Sequence, residues 1–136
     1  MLRQVNVFIE NKKGHLSKAI AAISDGGINM DAFFIADTID FGVARIFCSD
    51  PDSALKVLTD AGFRSSVVDV FAVKIENKTG ALSRLLSTLE QDDISIEYSY
   101  CYPVSNQDWA VFVFKSNSAD TASVLDSNGF DQIVEI

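Results

Sequence analysis

A short stretch that occurs twice is the feature that most constrains the fold of this chain. Residues 9–17 read IENKKGHLS and residues 75–83 read IENKTGALS, so each position recurs 75 − 9 = 66 residues later. Each copy follows an alternating apolar strand and precedes apolar residues with helical spacing. A repeat of this length in a chain of 136 residues predicts two copies of one structural unit.

Hydrophobic spacing predicts the order βαββαβ in each half of the chain. The long helix after each repeated turn carries an apolar stripe that begins at Leu16 in the first half and at Leu82 in the second. A βαββαβ unit forms a four-stranded antiparallel sheet with both helices on one face. The predicted fold class is therefore α+β, with two tandem ferredoxin-like units over residues 1–69 and 70–136.

The two halves follow one another without a flexible linker, because residues 67–71 contain no Pro, Gly or Ser. Gly62 matches Gly129 at an offset of 129 − 62 = 67, which predicts one extra residue in the turn over 103–108. The predicted strands of the first half are 5–9, 28–38, 43–48 and 63–69, and those of the second half open at Phe71, Ile94, Trp109 and Phe130. The shorter helices direct their apolar residues inward, namely Ala54, Leu55, Leu58, Ala122 and Leu125.

Several predicted strands carry apolar residues on both faces. By alternation, Phe8 lies on the other face of its strand from Val7, and Phe33 and Ile35 lie on the other face from Met30 and Phe34. Phe112 and Phe114 likewise lie on the other face from Trp109 and Val111. Apolar residues on both faces favour sheets that other protein covers, and hence a homodimer. The alternative is a bulge that shifts the alternation within a strand.

Charge and composition exclude several classes of partner. The net charge is 11 − 19 = −8, which disfavours nucleic acid and anionic membrane surfaces. No apolar run approaches the roughly 18 residues of a membrane span, and the first residues lack a signal-peptide core, so we expect a cytoplasmic protein. Cys48 and Cys101 lie in predicted strands without C-x-x-C spacing, which favours buried, reduced thiols over a disulfide or metal site.

The residue types of a catalytic centre are scarce. His15 is the one histidine, and no Ser/His/Asp, Cys/His or phosphate-binding motif includes it. We therefore expect no catalysis, no cofactor and no metal, although an enzyme on a ferredoxin-like scaffold stays open. Gly14 and Gly80 open helices whose free N–H groups can hold a carboxylate. The alternative is a turn retained only for its geometry, in which Asn11 and Asn77 shape the turn or cap the helix.

The repeated residues resemble the ACT domain, a small-molecule regulatory module of amino-acid metabolism. The resemblance rests on NKKGHL at 11–16 and GINM at 27–30, and on NKTGAL at 77–82 with DISI at 93–96, and it covers nearly the whole chain. It implies the ferredoxin-like fold and an amino acid bound at an interface between paired domains. Asn11 and Asn29 match ligand-binding positions of ACT domains in serine-regulated dehydrogenases.

The chain departs from that dehydrogenase pattern at three kinds of position. Ile9 and Ile75 replace a histidine, which argues against serine as the ligand, and Lys13 and Thr79 replace a proline. Ser95 replaces the second asparagine, so we expect the first repeat to bind more tightly than the second. The candidate ligand-binding residues are Asn11, Gly14, His15, Leu16 and Asn29 in the first repeat and Asn77, Gly80, Ala81, Leu82 and Ser95 in the second.

The resemblance and the residues together predict a non-catalytic sensor of an L-amino acid. The ligand would lie between domains, with its carboxylate on the N–H groups of residues 14–16 and its amine near Asn11 and Asn29. Such a sensor would regulate an enzyme of amino-acid metabolism as its partner. The alternative is a regulatory subunit similar to the small subunit of acetolactate synthase, which acts mainly through protein contact.

Overall fold

The computed structural model describes residues 1–37 and 40–136, which divide into two compact units. The N-terminal unit comprises Arg3–Val68 with Ile136, and the C-terminal unit comprises Asp69–Glu135 with Met1 and Leu2. The described residues form β1 (Leu2–Glu10), α1 (His15–Asp25), β2 (Met30–Asp37), β3 (Phe41–Cys48), α2 (Pro51–Asp60), β4 (Arg64–Glu76), α3 (Ala81–Gln91), β5 (Tyr98–Pro103), β6 (Trp109–Lys115), α4 (Thr121–Ser127) and β7 (Asp131–Gln132).

Each unit has the predicted ferredoxin-like strand order. The order is β2-β3-β1-β4 in the N-terminal unit and β5-β6-β4-β7 in the C-terminal unit. Strand β3 pairs antiparallel with both β1 and β2, and β6 pairs antiparallel with both β4 and β5. Strand β4 runs unbroken from Arg64 to Glu76, so the last strand of one unit continues as the first strand of the next. The predicted α+β class and tandem arrangement are confirmed.

One face of each sheet packs against two helices. In the N-terminal unit the fully buried Ala19 and Ile23 of α1 and Leu58 of α2 share a core with β1 and β3. In the C-terminal unit Leu85 of α3 and Leu125 of α4 pack on β4 and β6 in the same way. Each full burial of such a side chain contributes about 1.5–3 kcal/mol to folding. Tertiary packing therefore stabilises helices of only 7 to 11 residues.

Two strands begin later than their apolar residues predict. Ile28 and Ile94 lie before β2 and β5, because their N–H groups bond to helix carbonyls, those of Ile23 (3.3 Å) and Leu89 (3.0 Å). These apolar residues therefore close the C-terminal turn of the preceding helix, as in a Schellman motif. The predicted end of β2 at Thr38, and residue 39 after it, lie outside the described residues.

The structure corrects three other expectations from the sequence. Strand β7 covers only Asp131–Gln132 rather than 130–136. Ala122 is exposed, since Thr121 and Leu125, four residues apart, form the buried side of α4. Both cysteines are free thiols, but Cys101 is exposed rather than buried. Partial burial raises the pKa of the Cys48 thiol.

A β-bulge changes which apolar residues of β2 share a face. Met30 pairs with Cys48, whereas Ala32 pairs with Phe47, so one residue is inserted between them. After the bulge, Phe33 pairs with the core residue Ile46, and Phe34 lies on the other face. The simple alternation, which placed Phe33 and Met30 on different faces of the strand, was therefore wrong. A bulge moves every residue beyond it to the other face.

The turn between β5 and β6 is longer than the sequence match predicts. Glu10 pairs with Phe41 and Glu76 pairs with Trp109, so the third strands match at 109 − 41 = 68. The offset before this turn is 66 and that at Gly62/Gly129 is 129 − 62 = 67. Two residues are therefore gained in the turn and one is lost across the shorter helix α4.

Within the described ranges, no helix has the length and apolar character that a membrane span requires. The same residues hold no group of three or more His, Cys, Asp or Glu side chains that could bind a metal ion.

Adjacent leucines on α3 provide a direct test of the core. Both leucines continue the apolar stripe that begins at Leu82. Leu85 is fully buried, whereas Leu86 is 40% exposed. Leu85→Ala is expected to lower the free energy of unfolding by about 2–5 kcal/mol, because it leaves a cavity in the core. The matched Leu86→Ala is expected to cost less than about 1 kcal/mol. Urea unfolding of both variants measures the difference, and equal losses would contradict this packing.

Candidate functional site

The repeated turn has the same backbone geometry in both units. Gly14 has φ 88° and Gly80 has φ 92°, and each is the N-cap of an 11-residue helix without a side-chain cap bond. Such φ values favour glycine, which has no Cβ to clash. The carbonyl of each glycine accepts the first helical hydrogen bond, from Lys18 and from Arg84, at 2.9 Å in both units.

The first turn of each helix retains the donors expected of an anion site, with one exception. The His15 N–H donates to the Lys12 carbonyl (3.2 Å) and the Ala81 N–H to the Lys78 carbonyl (3.3 Å), so these groups stabilise the turn itself. The N–H groups that follow, starting with Leu16 and Leu82, lie where an α-helix has no carbonyl partner of its own. They are the donors that a carboxylate could accept from.

The asparagines of the repeated turn fix the end of the sheet. The Asn11 N–H donates to the Asp40 carbonyl (2.9 Å), and the Asn77 N–H donates to the Asp108 carbonyl (2.8 Å). Both side chains are exposed. The backbone of each asparagine therefore has a structural role, three residues before the glycine that caps the helix.

Asn29 lies at the other end of the sheet from Asn11. The Asn29 N–H donates to Ser49 Oγ (3.2 Å) beyond the end of β3, and its Nδ2 donates to Asp31 Oδ1 (3.0 Å). Asn11 is bonded at the start of β3 instead. Eight residues of strand separate the two positions, which amounts to roughly 25 Å.

A single unit therefore cannot bring Asn11 and Asn29 to one amino acid, and the expected amine position near both amides stays a prediction for a ligand that lies between domains. The reason is that β1 and β2 both pair antiparallel with β3 and so run in the same direction. Ser95 is separated from Asn77 in the same way, since the neighbouring Glu97 bonds to Lys115 at the far end of β6. The tighter first site stays a prediction, because one unit by itself does not place both amides on one ligand.

Each unit has a cavity beside its repeated turn. The N-terminal cavity, lined in part by Glu10, Lys18 and Phe63, has a volume of about 390 Å³, and the C-terminal cavity, lined in part by Glu76, Arg84 and Phe130, has about 790 Å³. These residues match at 76 − 10 = 66, 84 − 18 = 66 and 130 − 63 = 67. The two cavities therefore occupy equivalent places, and both volumes suit a small ligand.

The cavities contain only some of the predicted site residues. His15 lines the N-terminal cavity, and Gly80 and Ala81 line the C-terminal one. Leu16 and Leu82 are 37% and 36% exposed and line neither cavity. The sequence analysis missed the matched glutamates and cations, although the recurrence of Glu10 as Glu76 within the repeated stretch was a signal for the first of them.

An ion pair holds each matched glutamate in its charged form. Lys12 Nζ lies 2.9 Å from Glu10 Oε2, and Lys78 contacts Glu76 in the same way. The hydrogen bond and the charge of the lysine lower the pKa of both carboxyl groups. Since these pairs are exposed, they add little stability and can exchange with a ligand.

The architecture and its two equivalent turns define a tandem pair of ferredoxin-like units, and comparison with known proteins identifies the family. The chain belongs to the ACT domain pair family, whose model matches residues 1–135. ACT domains are regulatory rather than catalytic modules. No curated protein matches the chain in sequence.

Solved structures show the same fold over nearly the whole chain. Protein BT0572 from Bacteroides thetaiotaomicron is 33% identical, with a TM-score of 0.88 over 97% of this chain and 91% of that one. The ligand-free regulatory subunit of aspartate kinase from Thermus thermophilus is 14% identical, with a TM-score of 0.67 over 93% and 90%. The corresponding subunit from Thermus flavus is 16% identical, with a TM-score of 0.66 over 92% and 88%.

The backbone of the repeated turn can be tested without a ligand. A Cβ on Gly14 would meet no atom within 4 Å, so Gly14→Ala has only the cost of the left-handed backbone. We expect a loss of about 1–2 kcal/mol in the free energy of unfolding. Gly14→Asn is the control, and its loss should be smaller because asparagine tolerates this conformation. Equal losses in urea unfolding would contradict the assigned conformation.

Proposed function

We propose that this chain is a non-catalytic sensor that binds an L-amino acid and regulates an enzyme of amino-acid metabolism. The observation that carries the proposal is the glycine turn that recurs in both units, with φ 88° and 92° and helix donors beside a cavity. A helix start of this kind attracts a carboxylate. The fold likeness to a regulatory subunit of aspartate kinase supports a regulatory role.

The proposed ligand carboxylate accepts hydrogen bonds at residues 14–16, and its amine lies near the exposed amide of Asn11. The turn over 77–82 is proposed as the second site, within an ACT domain taken as residues 70–136. Because Asn29 lies at the far end of its own sheet, it can reach the ligand of this turn only from a second copy of the chain. The proposal therefore includes a homodimer, and it places the protein in the cytoplasm.

A regulatory subunit that acts mainly through protein contact is the second candidate. The observation that favours it lies on β2, the outer strand of its sheet, where Phe33, Phe34 and Ile35 are 44%, 38% and 36% exposed. An outer strand with exposed apolar side chains is a surface on which another chain can pair. Copurification with a metabolic enzyme, without any amino-acid binding, would favour this candidate over the sensor.

A thermal screen tests the sensor directly. One of the twenty L-amino acids is expected to raise the melting temperature, since a ligand at 100 times its Kd stabilises the fold by about 2.7 kcal/mol. Asn11→Ala should reduce that shift and leave the melting temperature of the free protein near that of the wild type. If Asn11 only shaped the turn, the free protein would melt lower and the shift would be unchanged. Failure of every amino acid to bind more tightly than about 1 mM by calorimetry would reject the sensor.

Mixing two variants tests the homodimer. Light scattering should give a mass near twice 14.9 kDa. Asn11→Ala and Asn29→Ala should each weaken binding by about 1.5–3 kcal/mol, the contribution of a hydrogen bond to a charged group. A refolded mixture should regain one strong site for each mixed dimer, because one of its two sites then contains both asparagines. A mixture that binds no better than either variant alone would show that Asn29 does not act from a second copy.

A further inference from the structure

Aromatic rings distinguish the N-terminal cavity from its counterpart. Phe8, Phe41 and Phe63 line it, and the rings of Phe8 and Phe41 meet edge to face with centroids 6.0 Å apart. Phe8 and Phe41 are 47% and 46% exposed. Two large apolar side chains that stay half in water beside a cavity indicate an apolar group as the occupant.

The C-terminal cavity uses its aromatic rings differently. Lys74 Nζ lies 4.8 Å from the centroid of the Trp109 ring, and the Arg84 guanidinium lies 4.4 Å from that of Phe130. Both rings therefore already bind cations of the chain itself. The residue that matches Lys74 in the N-terminal unit is Phe8, at 74 − 8 = 66, so an apolar ring takes the place of that cation.

The charges that line the two cavities also differ. Lys18 and Arg64 face the N-terminal cavity with one carboxylate, that of Glu10. The position of Arg64 is occupied in the C-terminal cavity by Asp131, at 131 − 64 = 67. Two cations against one carboxylate favour a ligand that brings a carboxylate of its own, in a chain whose net charge is −8.

We infer that the N-terminal cavity binds an L-amino acid with an aromatic side chain. The ring packs on Phe8 and Phe41, and the carboxylate lies between the helix start at residues 14–16 and the cations Lys18 and Arg64. The ammonium lies between Asn11 and Glu10, where it exchanges for Lys12. This assignment rests on the proposed function and adds to it the class of the side chain and the groups that recognise it. The volume of about 390 Å³ is within the range of small-ligand sites.

Calorimetric titration of the full chain tests the side-chain class. L-Phenylalanine is expected to bind at least about tenfold more tightly than L-alanine, because its ring buries apolar surface on Phe8 and Phe41. Phe8→Lys, which introduces the residue found at the matching position 74, should abolish that preference. Leu86→Lys is the matched control, since Leu86 is similarly exposed at 40% and does not line the cavity. Its L-phenylalanine affinity should equal that of the wild type.

Titration with 3-phenylpropionate, which lacks the ammonium group, tests the role of Glu10. The wild type should bind L-phenylalanine at least about tenfold more tightly than 3-phenylpropionate, and Glu10→Gln should remove the difference. Glu90→Gln, on the exposed side of α3, should keep it. Circular dichroism of each variant confirms that the fold is intact.

The outcomes separate this inference from the function on which it rests. If wild-type protein binds L-alanine or another L-amino acid but shows no preference for L-phenylalanine, the aromatic assignment is overturned and the sensor stands. The same holds if Phe8→Lys leaves the preference unchanged. If no L-amino acid binds, the sensor itself is rejected together with the assignment.

Discussion

The antiparallel pairing of β3 with both β1 and β2 determines where the loops of the N-terminal unit meet. Because β1 and β2 run in the same direction, the end of β1 lies far from the start of β2. The helix start at Gly14 therefore lies beside the beginning of β3 and the turn at Gly62, which together border the cavity. The pairing of β6 with β4 and β5 produces the same arrangement in the C-terminal unit.

Local patterns in the sequence were sufficient for the architecture of each unit. The alternation before each repeated turn and the helical spacing after it both correspond to observed elements. These signals act over a few residues, where propensity and burial agree. The tandem βαββαβ organisation could therefore be predicted without the structure.

Features that depend on pairing between strands could not be predicted in this way. The bulge near Asp31 leaves no strong local signal, yet it reverses which face Phe33 occupies. The 18-residue spacing of Asn11 and Asn29 likewise gives no direction for the strands on which they lie. The cavity residues Phe63 and Phe130, which follow the second helix of each unit, were also predicted only as strand residues. Their contact with the turn arises from tertiary packing.

The two cavities show how one scaffold can hold different polar and apolar groups. Glu10 and Glu76 keep the same chemistry in both units, as do the cations Lys18 and Arg84. The differences include the matched positions of Phe8 and Lys74 and those of Arg64 and Asp131. Side chains at the rim can change without affecting the packing beneath, since Phe8 is 47% exposed and its neighbour Val7 is fully buried.

The longer turn between β5 and β6 has a consequence for how the two repeats diverge. It leads into Asp108 and Trp109, which line the C-terminal cavity, and the turn itself contributes no residue to the core. Insertions in such a hairpin are tolerated far better than changes in a packed strand. A duplicated unit can therefore acquire a new ligand preference through a change in the length of one loop, without losing the stability of its fold. The larger volume of the C-terminal cavity agrees with divergence by this route.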